Sequence, residues 1–520
     1  MSAGGNRSAP TLSGFLQSKL SSPTRAQHSE ASMRRSLPVF HLACLLAILS
    51  GIAASHRAQA ESVGTYHVRM REDSMRLMVS ATLPLAGSAL RMETTRPVGV
   101  PELDSLSWSG LVPELRVSDA AGNSITATRD GTRGWKLSRS DTTATIVTVE
   151  YVVDYAPLAR LGWPAPHEAA YRDSDNFVLV GRSLFVTTQA TRECRVAFEL
   201  PKGWHASTPW PARGGNETYV ADTPQDLVEN LVVFSRRPRD DVAAMGFRLH
   251  INALGQWAEA RADVRRVLEP VIRHHVAMMG VVGRTDYVVV LLPQRDFGGE
   301  SYRGSFAASM DSLPGPSTTA ALGNLVAHEI FHLWNGWMLR GADYASTQWF
   351  QEGFTEYSAN VAIASSGLVS EQWFRSKLAE HLRNSRELAT TLENTGGHKG
   401  PPLYSAGALV AFAWDVRIRE ASAGRRNLGD FFRELLRRTD GGMRKYAWTD
   451  IRAALDATAT GDWEGDYQAF VRGKQPLPID PALAAVAQRR IEDAGGVRIE
   501  ADPGAPAAAR QRWAELLRAR

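Results

Sequence analysis

The stretch HEIFHLWN, residues 328–335, places His328 and His332 four residues apart, with Glu329 directly after the first histidine. On an α-helix, positions i and i+4 lie on one face a turn apart, so two imidazoles at this spacing can share one metal ion. Glu329 is offset from His328 by about 100° around such a helix. It therefore flanks the metal and is placed to take a proton from an attacking water. The local sequence suits a helix: Ser317 or Thr318 can cap it, and TAALGNLVAHEIFHLW runs on without proline. Chance explains the pattern poorly, since a chain with 13 histidines in 520 residues is expected to hold only about 0.02 random HExxH matches.

A catalytic zinc keeps three protein ligands and one open position. The third candidate is Glu352 in WFQEGFTEY (349–357), separated from His332 by enough chain for a turn and a second helix. Trp349, Phe350 and Phe354 around it argue that this carboxylate is buried. Glu356 stands one turn further on, where it can hold the second nitrogen of a ligand histidine.

HEIFHLWN, WFQEGFTEY and LYSAGALVAFAWDVRIRE (403–420) together resemble the glycyl aminopeptidase-like branch of the gluzincin metallopeptidases. Blocks there read HE-x-x-H-x-W-N, then an E-G-x-T segment, then a tyrosine before a K-G-A-L helix. The resemblance spans about 61–475 in domain order. It implies a thermolysin-like catalytic fold and one Zn2+ per chain held by His328, His332 and Glu352. It also implies Glu329 as general base and a peptide substrate with a small N-terminal residue. Tyr404 matches the family's oxyanion-binding tyrosine; a donor of this kind is required wherever a tetrahedral intermediate develops negative charge.

Two positions depart from the family pattern. Ala406 stands where a lysine usually follows the tyrosine by two. Relatives carry G-G-L-E-H-R-N-S before the metal helix, and the glutamate there binds the substrate's free amine. Here the segment is GGESYRGS, residues 298–305. Aligned on Gly298, Gly299 and Arg303, the amine-binding position is Ser301, and Glu300 comes one residue early. A one-residue shift on a strand turns a side chain to the opposite face. Gly298, Gly299, Glu300 and Arg303 are the candidate substrate-binding residues. An endopeptidase, or a zinc-bearing protein that displays a peptide groove without cutting, stands as the alternative.

These residues need elements to position them. Residues 61–235 alternate short β runs (TYHVRM, RLMVSATL, TATIVTVEYVVDY, NFVLVGRSLFVTT, CRVAFEL, NLVVFS) with turn clusters such as RDGTRG, predicting a β domain. SRRPRDDVAAMG (235–246) reads as a connector. A catalytic region, 236–475, follows. FRLHINAL (247–254) and YVVVLLP (287–293) read as strands, with a helix around Ala258–Met279 interrupted by Pro270. FGGESYRGSFAASM (297–310) reads as a loop entering an edge strand, and the pattern from Ser317 on is helical. Residues 476–520 read as a tail with a short helix. The pattern gives a multidomain α+β fold class, a β-rich domain before a domain with a mixed-sheet lobe and a helical lobe, and the resemblance implies that this second domain is thermolysin-like.

Charge and leader bound the partners. Residues 1–60 hold six of the basic residues and one acid, which leaves 53 basic against 54 acidic residues in the remainder. The body has no electrostatic footprint for nucleic acid. Met33-Arg34-Arg35, the apolar LACLLAIL (42–49) and Ala58-Gln59-Ala60 read as a secretory signal. This reading starts translation at Met33, cleaves after Ala60 and makes the protein secreted or periplasmic. The apolar run is too short for a stable membrane anchor. Cys194 is then the single remaining cysteine, in a strand-like context that suits a buried structural thiol. His274 and His275 read as helix-surface residues, and His398 as a residue able to line the cleft.

Overall fold

The computed structural model describes residues 62–518, apart from 96, 98–99, 140–142, 214–217, 282, 284–285, 294–297, 311–315 and 396–399. The leader, with Met33 and Ala60, and also His398 lie outside the described residues.

The N-terminal region is built of strands, as its alternating pattern predicts. Val63–Met70 pairs antiparallel with Arg76–Leu85, which pairs with Thr145–Asp154. On its other edge Val63–Met70 pairs parallel with Glu193–Glu199, which holds the free, buried Cys194. In Val63–Met70 every second side chain (Tyr66, Val68, Met70) enters the core, and the intervening ones face outward. A second sheet holds Asn176–Val180 between Leu231–Ser235 and Ala170–Arg172. Its two faces serve two cores. Phe177 and Leu179 pack inside the β domain, while Val178, Val180, Leu231 and Val233 pack against the catalytic sheet.

That catalytic sheet is formed by β1 (Asp240–Ala244), β2 (Phe247–Ala253), β3 (Asp286–Leu292), β4 (Gly298–Ser301) and β5 (Ser305–Ser309). Its order is β1-β2-β3-β5-β4. β2, β3 and β5 run parallel, and β1 and β4 are antiparallel edges. β3 is apolar throughout because both faces are covered. Tyr287, Val289 and Leu291 face the helices, and Val288, Val290 and Leu292 face the β domain. The segment expected as a connector therefore supplies an edge strand. Its charged residues sit where an edge strand meets solvent, and they hid the pattern.

The helical lobe contains α1 (Arg261–Met279), α2 (Pro316–Phe331), α3 (Gln348–Ser365), α4 (Glu371–Ser385) and α5 (Pro401–Ala421). Pro270 lies inside α1 without ending it. α2 begins at Pro316, so Ser317 and Thr318 lie in its first turn. His274 and His275 are not surface residues. His274 Nδ1 meets Ser365 Oγ at 2.8 Å, and His275 Nε2 donates to the Ala327 carbonyl at 2.9 Å. Burial pulls His275 down to about 4, so it is neutral and ties α1 to the metal helix.

The C-terminal residues, expected as a tail with a short helix, hold more structure than that. A helix at Ile479–Ala485, a hairpin (Gln488–Asp493 with Gly496–Ala501) and a helix at Ala507–Leu516 follow one another. Leu483, Val497, Ile499 and Trp513 join the catalytic core. Trp513 packs on Phe374 of α4 and donates to Glu371, and Arg375 bonds Gln488. The hairpin strands QRRIED and GVRIEA carry so many charges that their alternation is faint in sequence. Among the described residues no helix is long and apolar enough to cross a membrane.

Candidate active site

α2 and α3 bring His328, His332 and Glu352 together. Glu352 Oε2 lies 3.4 Å from His328 Nε2 and 3.4 Å from His332 Nε2. All three ligand atoms fall within 4.8 Å of one another, and all three residues are buried. Metal–ligand bonds of about 2.1 Å at tetrahedral angles separate neighbouring donors by about 3.4 Å, so the donor set fits a zinc-sized ion.

The far nitrogens are held so that both Nε2 atoms face the shared carboxylate. His328 Nδ1 meets Glu356 Oε2 at 3.2 Å, and His332 Nδ1 donates to the Asn335 carbonyl at 3.1 Å. Burial opposes charge on His328, but the Glu352 and Glu356 carboxylates outweigh it and push the imidazole up to about 10. Burial likewise opposes charge on Glu356, yet His328 pulls that carboxyl down to about 2. The cluster is arranged to hold positive charge.

Asn335 locks the two helices. The chain leaves α2 through a wide turn at Leu333–Met338, where Asn335 Nδ2 donates to the carbonyls of Phe350 and Gln351 at 3.1 Å each and to Thr355 Oγ1 at 3.2 Å. This fixes α3, and with it Glu352, against the metal helix. The asparagine is visible in HEIFHLWN, but its spacing alone gives no hint of the role.

Glu329 is buried beneath the edge strand. A Cβ added at Gly299 would sit 2.8 Å from Glu329 Oε1 and 2.9 Å from its Cγ, so only glycine leaves room for the carboxylate there. Ser301, on the same face of β4 as Gly299, donates from Oγ to the Glu329 carbonyl at 3.0 Å. Tyr404, in the first turn of α5, stacks its ring on His328 with centroids 5.6 Å apart and an interplanar angle of 21°.

A cleft of about 470 Å³ contains these groups. His328, Glu329, His332, Glu352 and Tyr404 line it, with Gly299, Glu300 and Ser301 on the strand wall. Gly298 and Arg303 are not in the lining. Gly298 faces His167, and Arg303 donates its backbone N–H to the Glu229 carbonyl and lies over the Trp337 ring at 5.9 Å. The β domain adds Thr95, Arg182 and Glu229 to the cleft, which nothing in their local sequence signals. Arg182 is buried, donates to Tyr302 and is balanced by the nearby charges of Glu229 and Glu300. The β domain also holds the β4–β5 turn. Asn230 Oδ1 accepts from Gly304 N at 2.7 Å, and Ser305 Oγ accepts from Leu231 N at 3.0 Å.

Residues 109–235 match the model of the peptidase M61 N-terminal domain, and residues 321–396 match that of the M61 glycyl aminopeptidase. A solved aminopeptidase N family protein from Idiomarina loihiensis is 18% identical, with TM-score 0.68, covering 84% of this chain and 81% of that one. An M1 zinc metallopeptidase mutant from Deinococcus radiodurans, bound to a Tyr-Ser-Ala substrate, is 14% identical with TM-score 0.51, covering 80% and 95%. Among the curated proteins none matches. The family matches support a peptidase, and the solved structures show the fold. Two segments of the chain thus resemble the peptidase M61 models, an N-terminal domain followed by a glycyl aminopeptidase segment, and its mixed α+β fold is like that of these solved metallopeptidases.

Proposed function

We propose that the protein is a zinc-dependent aminopeptidase that removes small N-terminal residues from peptides outside the cytoplasm. The single observation that carries the reading is the triad of His328, His332 and Glu352 at zinc-ligand spacing, with Glu329 beside it under an open strand edge. Zinc, when bound there, supplies a Lewis acid for the scissile carbonyl and for the attacking water.

The chain's own groups do the rest. Among the described residues the outer edge of β4 has no strand partner, and it offers backbone N–H and C=O groups to an extended peptide. Glu329 takes the proton from the attacking water and passes it to the leaving amine. Tyr404 donates its phenolic proton in a hydrogen bond to the developing oxyanion. Glu356 keeps the His328 imidazole oriented, and Asn335 does the same for His332.

Capture of the free amine falls to Glu300 and Glu229, which line the cleft, because the Ser301 hydroxyl is engaged with the metal helix. An endopeptidase remains the rival reading on account of Ser301. A digest of a defined peptide mixture by the mature protein, read by mass spectrometry, tests the assignment. Loss of single N-terminal residues supports aminopeptidase action, and internal cuts without trimming replace it with endopeptidase action.

A further inference from the structure

Beside Arg182, which Glu229 and Glu300 balance, the cleft carries two further cations that the proposed chemistry does not use. Arg340 and Lys445 both line it together with the metal-site residues. They come from segments far apart in sequence that meet in a short parallel bridge, Gly341 to Tyr446. Tyr446 N donates to the Arg340 carbonyl at 2.9 Å, and Ala342 N donates to the Tyr446 carbonyl at 2.7 Å. In parallel pairing, register neighbours project to the same side. Arg340 and Lys445 are such neighbours. Tyr446 is buried against Phe350 with ring centroids 5.4 Å apart, and alternation turns Lys445 the other way, toward the cleft. A Cβ at Gly341 would meet Thr347 Oγ1 at 2.1 Å, which keeps this crossing tight and its register fixed.

Among the described residues neither cation is matched by an acid: no carboxylate lies within ion-pair distance of Arg340 or Lys445, and Arg340 Nε is buried without a hydrogen-bond partner. The acids of the cleft face other groups. Glu352 faces the two histidines, Glu329 sits under Gly299, and Glu229 and Glu300 lie near Arg182. A partly buried guanidinium with an unpartnered N–H, and a lysine held in backbone register with it on the same cleft, supply the donors that recognise a carboxylate.

We propose that Arg340 and Lys445 form a carboxylate-recognition site within the cleft, so that the preferred peptides carry an acidic group near the cut. The inference rests on the peptidase reading and narrows its substrate class. The carboxylate has two sources, the C-terminus of a short peptide or an aspartate or glutamate side chain.

The test compares kcat/KM for four peptides: a trialanine amide, the same tripeptide as free acid, and amides with glutamate at the first or second position. Each is run on the zinc-loaded wild type and on the Arg340→Gln/Lys445→Gln double variant. In the wild type at least one acidic peptide is expected to exceed the neutral amide by about tenfold or more, through charge-assisted hydrogen bonds. The advantage should shrink with added salt and vanish in the double variant. The preferred peptide identifies the source of the carboxylate. Equal rates for all four, or a preference that survives the double substitution, overturns the proposal. If the wild type cuts none of them, the peptidase reading is what fails. Calorimetric titration of the same peptides then decides the carboxylate site: tighter binding of an acidic peptide sustains it, and equal binding removes it.

Discussion

The Ser301 hydroxyl donates to the backbone carbonyl of Glu329, tying the edge strand to the metal helix at 3.0 Å. Ser301, expected from the sequence at the amine-binding position, thus positions the helix that carries the proposed base. Ser301→Ala should lower stability by about 1 kcal/mol, the usual net value of such a bond. It should also reduce kcat while zinc content stays at one per chain. Thermal unfolding, metal analysis and steady-state kinetics on the purified variant check this together. An unchanged melting temperature and kcat would mean that the strand is held by other contacts alone.

Gly299 sets the space above the proposed base. Gly299→Ala puts a methyl group where Glu329 now lies, and the carboxylate must move. A displacement near 1 Å at a catalytic group costs on the order of 10²-fold. The expected outcome is a drop in kcat of that size with folding and zinc retained, measured by kinetics beside circular dichroism and metal analysis.

Glu356 touches His328, a proposed ligand, without belonging to the proposed donor set. Glu356→Gln should weaken zinc binding by about 10- to 100-fold, the range for a lost carboxylate behind a ligand histidine. Competition with a chromophoric chelator measures it. Glu352→Ala should instead abolish stoichiometric zinc, and normal zinc content in that variant would remove Glu352 from the ligand set.

The pH response of the metal-free protein follows from the same pair. His328 is raised from 6.5 to about 10, so its stabilising contribution is full below pH 6.5 and is lost as pH rises through 10. Glu356 is lowered from 4.5 to about 2, so its contribution is present above pH 4.5 and is lost as pH falls through 2. Chelator-treated protein should therefore show a melting temperature that declines above pH 6.5, and the zinc-loaded protein should lack that alkaline decline. Zinc uptake should release protons in weakly buffered solution.

Tyr404 is assigned to the oxyanion by its place beside His328. Tyr404→Phe keeps the ring stack and deletes the donor. It should cost about 10²- to 10³-fold in kcat with little change in KM.

The clustering of His328, His332 and Glu352 was legible in sequence because its geometry is local. His328 and His332 share one helix, Glu352 and Glu356 share another, and helical periodicity alone faces each pair one way. The α+β order was legible for the same reason, since long alternating strands and apolar β3 announce themselves. What stayed hidden depends on contacts distant in sequence. Asn335 acts through carbonyls of α3, Arg182 and Glu229 reach the cleft only after the two sheets pack, and Arg340 meets Lys445 only through a two-residue bridge. His274 and His275 misled because charge-capable side chains on a helix resemble a solvated face, whereas α1 is covered by α2 and α3.

In the proposed function Glu329 is the base beside a zinc ion held by His328, His332 and Glu352. The most direct test of this role is Glu329→Gln, assayed for zinc content and for peptide hydrolysis in one preparation beside the wild type. The variant should keep full zinc occupancy while its turnover falls by several orders of magnitude. Turnover close to the wild type with zinc in place would contradict the assignment.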